Sequence, residues 1–443
     1  MQINVRECGA VGDGLTLDTA AINCAIDKLR ENGGGELLFP RGTYLTGTIF
    51  LASHLSLRFE YGACILGSPK PADYYCDDTV NPESLRHYLF YGDNCEDLFF
   101  SGSGLIDGNG EAFLENDFLF PVKKASGILD YNVRKPKPDR PVLLYLTRCR
   151  DVCIEGLRWQ NAPAYTIWMI QCEHVRICGI SARNPRTFPN SDVLDIDCCR
   201  QVRIRDCDFE AGDDCIALKS DPYRLGGEGG CHDIMVTDSI LSSATCAVRV
   251  GYEGDAPITD CSFSNLVVRD SRHGIDLLSI VPEVRFCRIE HGTPIERLQF
   301  SNITMRNVQQ AFFLWAGRET TDGLHDGFIR NVLFSNITAA CVGSSWIGAK
   351  FPGGIRDLTL ERIQLVLDSS VPFRKNETGR IPSHWGGATA IGCINFLNID
   401  GLQLRNSQFL LDDGTVGFSS WKNVTRFYHD GRKLPESGSS SRK

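Results

Sequence analysis

Two acidic segments about twenty residues apart, Asn190-Ser191-Asp192 and Gly212-Asp213-Asp214-Cys215, hold the side chains best suited to chemistry. Acid/base cleavage of a glycosidic bond needs one carboxyl kept protonated and another kept ionised, and crowding like charges drives their proton affinities apart. If successive strands stack as rungs about 4.8 Å apart, Asp192 and Asp213 can share one substrate. Aspartates also end strands and bond turn amides. That plainer role suits one of them better than three together.

The elements that would position these acids repeat. A hydrophobic-x-hydrophobic-x-x-hydrophobic signature returns at Val152/Ile154/Leu157, Val175/Ile177/Ile180, Leu298/Phe300/Ile303, Val332/Phe334/Ile337, Leu358/Leu360/Ile363 and Leu397/Ile399/Leu402. Looser copies fall at Val202/Ile204, Ile234/Val236 and Cys261/Phe263. Each copy alternates with period two, is flanked by Asn, Asp, Gly or Cys, and is too short to bury a face alone. Spacings of 23 to 39 residues describe a fixed rung with loops of variable length. Few helical segments separate the strands, so a doubly wound sheet lacks its crossovers and a parallel β-helix remains.

A solenoid needs capped ends. Asp18 is placed to N-cap a helix that carries Ile22, Ile26 and Leu29 on one face and ends at Gly33-Gly34-Gly35. Residues 1–45 therefore read as cap and first strand of one domain spanning 1–430, with a polar tail over 431–443 that is expected to be disordered from Glu436 to Lys443. Residues 116–140 and 370–387 break the pattern and read as long loops, walls or lids of a site.

Composition narrows the class. A formal net charge of −9 argues against nucleic acid or anionic membranes as partners. No run reaches the roughly 18 apolar residues of a membrane span, and no secretory leader opens the chain. The expected location is cytoplasmic, or secreted if a leader has been removed. Nineteen cysteines lack paired C-x-x-C spacing and fit reduced, buried thiols better than a disulfide scaffold or a metal site.

The segments Gly9-Ala10-Val11-Gly12-Asp13-Gly14 and Pro40-x-Gly42-x-Tyr44, with Asn190-Ser191-Asp192 and Gly212-Asp213-Asp214-Cys215-Ile216-Ala217-Leu218-Lys219-Ser220, resemble glycoside hydrolase family 28. This is the polygalacturonase-like group of pectin-degrading enzymes. The resemblance covers most of residues 3 to 425. It implies an all-β, single-stranded, right-handed parallel β-helix of the pectate-lyase-like kind with a short N-terminal capping helix. It further implies an inverting glycosidase in which Asp213 is the general acid and Asp192 and Asp214 activate water, with no cofactor and no metal. Carboxylates about 5 Å apart would by the usual rule suggest retention instead.

The sequence departs from that family at two places. Its G-H-G motif falls near Ser243 to Gly251, where Cys246 takes the approximate place of histidine. Its R-x-K motif falls near His273 to Leu278, where Asp276 and Leu278 replace the basic pair. Arg and Lys read a uronate carboxylate through charge-assisted bonds, whereas Asp276 would repel it and accept from neutral hydroxyls. The implied specificity is therefore a neutral or mixed linkage in pectic or other plant oligosaccharides.

The candidate substrate-binding set is Asn190, Asp195, Cys246, Arg249 and Asp276. Asp195 shares one strand face with Asp197 and either lines the cleft or faces solvent. Arg249 either restores a positive charge or is a solvent-facing strand residue. Trp315, Trp346 and Trp385 could stack on sugars or be structural; His232, His273 and His291 lack metal spacing and receive no role. The partner is an oligosaccharide or polysaccharide, and oligomeric state is open. Two rival functions stand: a polysaccharide lyase on the same fold, and a catalytically silent carbohydrate-binding β-helix.

Overall fold

The computed structural model describes residues 1–77, 85–119, 132–223, 225–226, 229–281, 288–318, 326–368, 393–417 and 419–439. The chain divides into two compact units, Met1–Leu218 with Cys231–Thr245, and Lys219–Gly230 with Cys246–Lys443. Both are built from parallel ladders of strands. Among the described residues there is one α-helix, Thr19–Glu31, and no helix is long and apolar enough to cross a membrane.

In the first unit the sequence repeats become rungs in register. Val152 pairs with Val175, Val202 and then Ile234, while Ile154 pairs with Ile177, Ile204 and Val236. These apolar residues point inward and the residues alternating with them outward, as the two-residue period of a strand demands. A second ladder joins Pro141–Thr147, Ile167–Ile170 and Leu194–Asp197. A third joins Leu105–Asp107, Arg158–Gln160, Ser181–Arg183 and Asp208–Ala211. Loops leave between ladders, so residues at strand ends fall on a common edge.

Buried thiols line one turn of this unit. The Sγ atoms of Cys172, Cys199 and Cys231 donate to the carbonyls of Leu146, Met169 and Ile196 at 3.5, 3.4 and 3.4 Å. Burial pushes the Cys172 and Cys199 thiols up, which keeps them protonated donors. Every cysteine among the described residues is a thiol rather than half of a disulfide.

The second unit stacks Ile258–Val281, Pro294–Arg318, Phe328–Cys341, Ile355–Leu367 and Ile399–Arg405. Phe263, Phe300 and Phe334 stack along its core at centroid spacings of 4.7 and 4.9 Å. At one turn Asn302 donates to Asn265 and Asn336 donates to Asn302, at 3.2 and 3.0 Å. All three asparagines have positive φ, a conformation their side chains tolerate well.

Several details differ from the sequence expectation. Leu402 and Leu404, not Leu397 and Ile399, align with Leu358 and Leu360. The third apolar place of that rung is Ser407, whose Oγ accepts from the Ile363 amide at 3.2 Å. Asp18 precedes the helix without capping it through its side chain, and its carboxylate instead accepts from the Val11 and Gly12 amides at 2.7 and 3.0 Å. Within 116–140, strand Leu114–Phe118 pairs antiparallel with Arg134–Pro136, helped by an ion pair between Lys135 and Glu115. Gly438–Ser439 pairs antiparallel with Ser420–Trp421, using the exposed edge of that strand. The segment 370–387, with Trp385, lies outside the described residues.

Candidate active site

The two acidic segments are neighbouring turns of the first unit. The Val193 amide donates to the Asp214 carbonyl at 2.9 Å and the Leu194 amide to the Cys215 carbonyl at 3.0 Å. Polar side chains fix the first turn: Asn184 Nδ2 donates to Thr166 Oγ1 at 2.8 Å and to the Ser191 carbonyl at 3.0 Å. Ser191 Oγ donates to the Phe188 carbonyl at 2.9 Å. Gly212 fits directly against this turn. A Cβ there would lie 2.3 Å from Ser191 Oγ and 2.4 Å from the Phe188 carbonyl, so any larger residue would force the two segments apart.

This interlock gathers the acids. Carboxylate oxygens from Asp192, Asp213 and Asp214 all lie within 4.8 Å of one another. Asp192 and Asp214 are buried and Asp213 is partly exposed. Three carboxylates so close cannot all ionise cheaply, the condition under which one keeps a proton. Among the described residues this is the one group of three His, Cys, Asp or Glu side chains compact enough to enclose a cation. The Thr245 hydroxyl stands between two of the acids, 2.7 Å from Asp213 Oδ1 and 2.6 Å from Asp214 Oδ1.

Sequence reasoning missed Thr245, having fixed on the cysteine after it. The available signal was positional: Thr245 immediately precedes strand Cys246–Gly254, as Asp214 and Cys215 immediately precede Ile216–Ser220. Cys246 itself is fully buried, and its thiol donates to the Val248 carbonyl at 3.1 Å. A one-residue offset thus separates the hydroxyl at the acids, in the bend before the strand, from the buried thiol at the strand's first residue.

The other candidates are engaged elsewhere. Asn190 has a positive φ of 50° and its Oδ1 accepts from Arg140 Nη2 at 3.0 Å. Arg140 Nη1 also donates to the Pro163 and Pro189 carbonyls, at 3.0 and 2.8 Å, which makes Asn190 part of the brace behind the first turn. Asp195 neither faces solvent nor lines an open cleft: it is fully buried, in register with Trp168. Trp315 and Trp346, the other described tryptophans considered for sugar stacking, are packed with Leu278, Phe313 and Leu397 in the second unit's core.

Arg249 and Asp276 belong to the second unit and meet each other. Arg249 Nη1 lies 3.1 Å from Asp276 Oδ2, and His273 Nδ1 lies 2.9 Å from both Asp276 oxygens. Arg249 and His273 are 6% and 5% exposed and Asp276 is 0% exposed. The expectation that Asp276 meets sugar hydroxyls is therefore replaced: its carboxylate is enclosed and serves the guanidinium and imidazole beside it. Arg249 is likewise no solvent-facing residue. A second buried cation of this unit, Lys219, pairs with Glu253 at 3.2 Å.

Residues 77–338 match the family described as glycosyl hydrolases family 28, and residues 2–111 match one described as rhamnogalacturonase A/epimerase, pectate lyase-like. The first match covers more than half of the chain, and the chain belongs to glycosyl hydrolases family 28. A Vitis vinifera protein named as a probable polygalacturonase is 27% identical over 321 residues, 69% of this chain and 61% of its own length. The chain thus spans less than two thirds of that relative. Among solved structures, an exopolygalacturonase from Thermotoga maritima superimposes with a TM-score of 0.65 at 20% identity, covering 99% of this chain and 94% of the other. A family 28 exopolygalacturonase from Yersinia enterocolitica gives 0.71 at 19% identity, covering 98% and 79%. The fold class is the right-handed parallel β-helix.

Proposed function

We propose that this protein hydrolyses glycosidic bonds in pectin-related oligosaccharides, with the acidic trio as its catalytic centre. The observation that carries the proposal is the 4.8 Å convergence of the Asp192, Asp213 and Asp214 carboxylates, supported by the family to which the chain belongs. Asp213, the most exposed of the three, donates its proton to the leaving glycosidic oxygen. Asp192 and Asp214 accept a hydrogen bond from the attacking water and take its proton as the new bond to the anomeric carbon forms. Two carboxylates at this spacing would ordinarily suit retention, whereas the resemblance to family 28 implies inversion, which we adopt. The anomer formed first, read by proton NMR before mutarotation, distinguishes the two.

For the substrate we favour a neutral or mixed linkage over plain polygalacturonate. The basic pair expected near residues 276 and 278 is absent, and the nearby cation Arg249 is occupied by Asp276. A uronate reader needs an available guanidinium or ammonium. The test is product release from matched panels of oligogalacturonides and rhamnose-containing or neutral oligosaccharides, with Asp213→Asn alongside. Cleavage of the second panel, lost in Asp213→Asn, is the expected result. Asp213-dependent cleavage of oligogalacturonides alone overturns the specificity, and turnover that survives Asp213→Asn overturns the site.

A further inference from the structure

The Thr245 hydroxyl makes two short contacts with carboxylates, and it has only one proton to give. Both the 2.7 Å contact with Asp213 Oδ1 and the 2.6 Å contact with Asp214 Oδ1 are within the normal range for O–H···O bonds. A hydroxyl donates once and otherwise accepts. Both contacts are separate two-centre hydrogen bonds, each with its own proton, when one of the two carboxyls is itself protonated and donates to Oγ1; otherwise a single proton is shared between them as a weaker bifurcated bond. A threonine between two ionised carboxylates would have only that weaker arrangement.

The position of Thr245 is itself constrained. Ser243 Oγ accepts from the Thr245 amide at 2.8 Å and donates, through a short bond, to the Asp213 carbonyl. Arg186 Nη2 donates to the Ser243 carbonyl at 2.9 Å. The hydroxyl is thus tied through one serine to the backbone of the residue it serves.

We infer that Thr245 is a positioning residue that holds a single proton between Asp213 and Asp214 and returns it to Asp213 after each turnover. This rests on the proposed glycosidase reading. In the resting state Asp213 is protonated and donates to Oγ1, while Oγ1–H donates to ionised Asp214. During hydrolysis the Asp213 proton goes to the leaving oxygen as the C–O bond breaks. The water oxygen bonds to the anomeric carbon, and the water proton passes to Asp214. The centre then holds neutral Asp214 and ionised Asp213. A concerted shift resets it: Asp214 donates its proton to Oγ1 as Oγ1 gives its own to Asp213. One water is consumed and no proton need come from solvent.

The test compares Thr245→Val, which keeps the shape without the hydroxyl, with Thr245→Ser, which keeps the hydroxyl. The first readout needs no substrate. Difference infrared spectra of the wild type against Asp213→Asn should show a protonated-carboxyl band that persists in Thr245→Ser and is lost or displaced in Thr245→Val. The second readout is kinetic, with the oligosaccharide panels above as probes. Thr245→Val should lower kcat about tenfold or more at nearly constant KM, and Thr245→Ser should recover it to within about threefold. Circular dichroism checks that each variant is folded, and Thr245→Ala replaces the valine variant if it is not. An unchanged band and unchanged kcat without the hydroxyl overturn the inference while leaving the acids intact as catalysts. A rate that survives Asp213→Asn overturns the underlying reading instead.

Discussion

Two charged clusters of this protein have opposite designs. The first unit brings three like charges together around a hydroxyl and leaves Asp213 partly exposed. The second unit encloses unlike charges, Arg249 and Asp276, beside His273, with almost no exposure. A buried pair of opposite charges satisfies itself, and removing either partner leaves the other charge uncompensated. Crowded carboxylates do the reverse. They disfavour full ionisation and keep a proton available, which matters only if something arrives to accept it. The contrast is what the proposed function predicts, with chemistry at the first cluster and architecture at the second.

The largest expected effect would break that assignment if it failed. Asp213→Asn should reduce hydrolysis by about 10²- to 10⁴-fold, the usual worth of a general acid, with no loss of melting temperature, since a neutral amide takes the place of a protonated acid of the same shape. A lower melting temperature with an unchanged rate would make the trio structural. Arg249→Met should act the other way round. Leaving Asp276 buried without its guanidinium should cost about 3–5 kcal/mol of stability, read as a lower midpoint in denaturant. Adding Asp276→Leu should recover much of the loss. A double variant no more stable than the single one would show that the pair is not the reason for the cost.

Gly212 sharpens the comparison at the next level down. Its two segments are held in contact by the absence of a side chain, so Gly212→Ala should cost about 1–3 kcal/mol by overpacking. It should also lower the rate, because it pushes Asp213 away from Asp192. Stability loss without rate loss would mean that the turn yields without moving the acids.

Much of this was legible in the sequence, and the reason is periodicity. Rungs such as Val152/Ile154 and Val175/Ile177 repeat because each buries the same two positions against the rung before it. The acidic segments stood out because Gly-Asp-Asp and Asn-Ser-Asp combine chemical residues with a steric requirement at Gly212. What failed depended on single-residue offsets. Cys246 takes the approximate place of the family's histidine in the sequence, yet the hydroxyl that reaches the acids belongs to Thr245, the residue just before that strand. Leu397/Ile399 mimicked a rung five residues before the true one at Leu402/Leu404, since a buried strand on either side of a turn gives the same apolar pattern. Asp276 was read as an acceptor for neutral sugar hydroxyls because a sequence does not show that Arg249 lies on the adjoining strand to neutralise it.

The same pair of residue types also occurs at the surface, which isolates the contribution of burial. Arg426 Nε lies 2.8 Å from Asp400 Oδ1 and Arg426 Nη2 lies 3.0 Å from Asp357 Oδ1, with the side chains 53%, 36% and 50% exposed. The side-chain bonds from Arg426, then from Thr425, hold the Asp400 carboxyl down at about 2. A carboxyl depressed by folding adds stability above its unfolded value of about 3.9, and that contribution fades as pH falls from about 4 toward 2. Water and salt screen an exposed pair, so its worth at neutral pH should be below about 1 kcal/mol. Arg426→Ala should therefore change stability at pH 7 only slightly, flatten the fall in stability between about pH 4 and 2, and lose even that difference in high salt. Arg249→Met should keep most of its effect in the same salt, because the enclosed charges are beyond the reach of screening ions. Equal salt sensitivity in the two variants would mean that exposure does not separate the clusters, and the assignment of Arg249 and Asp276 to architecture would lose its physical basis.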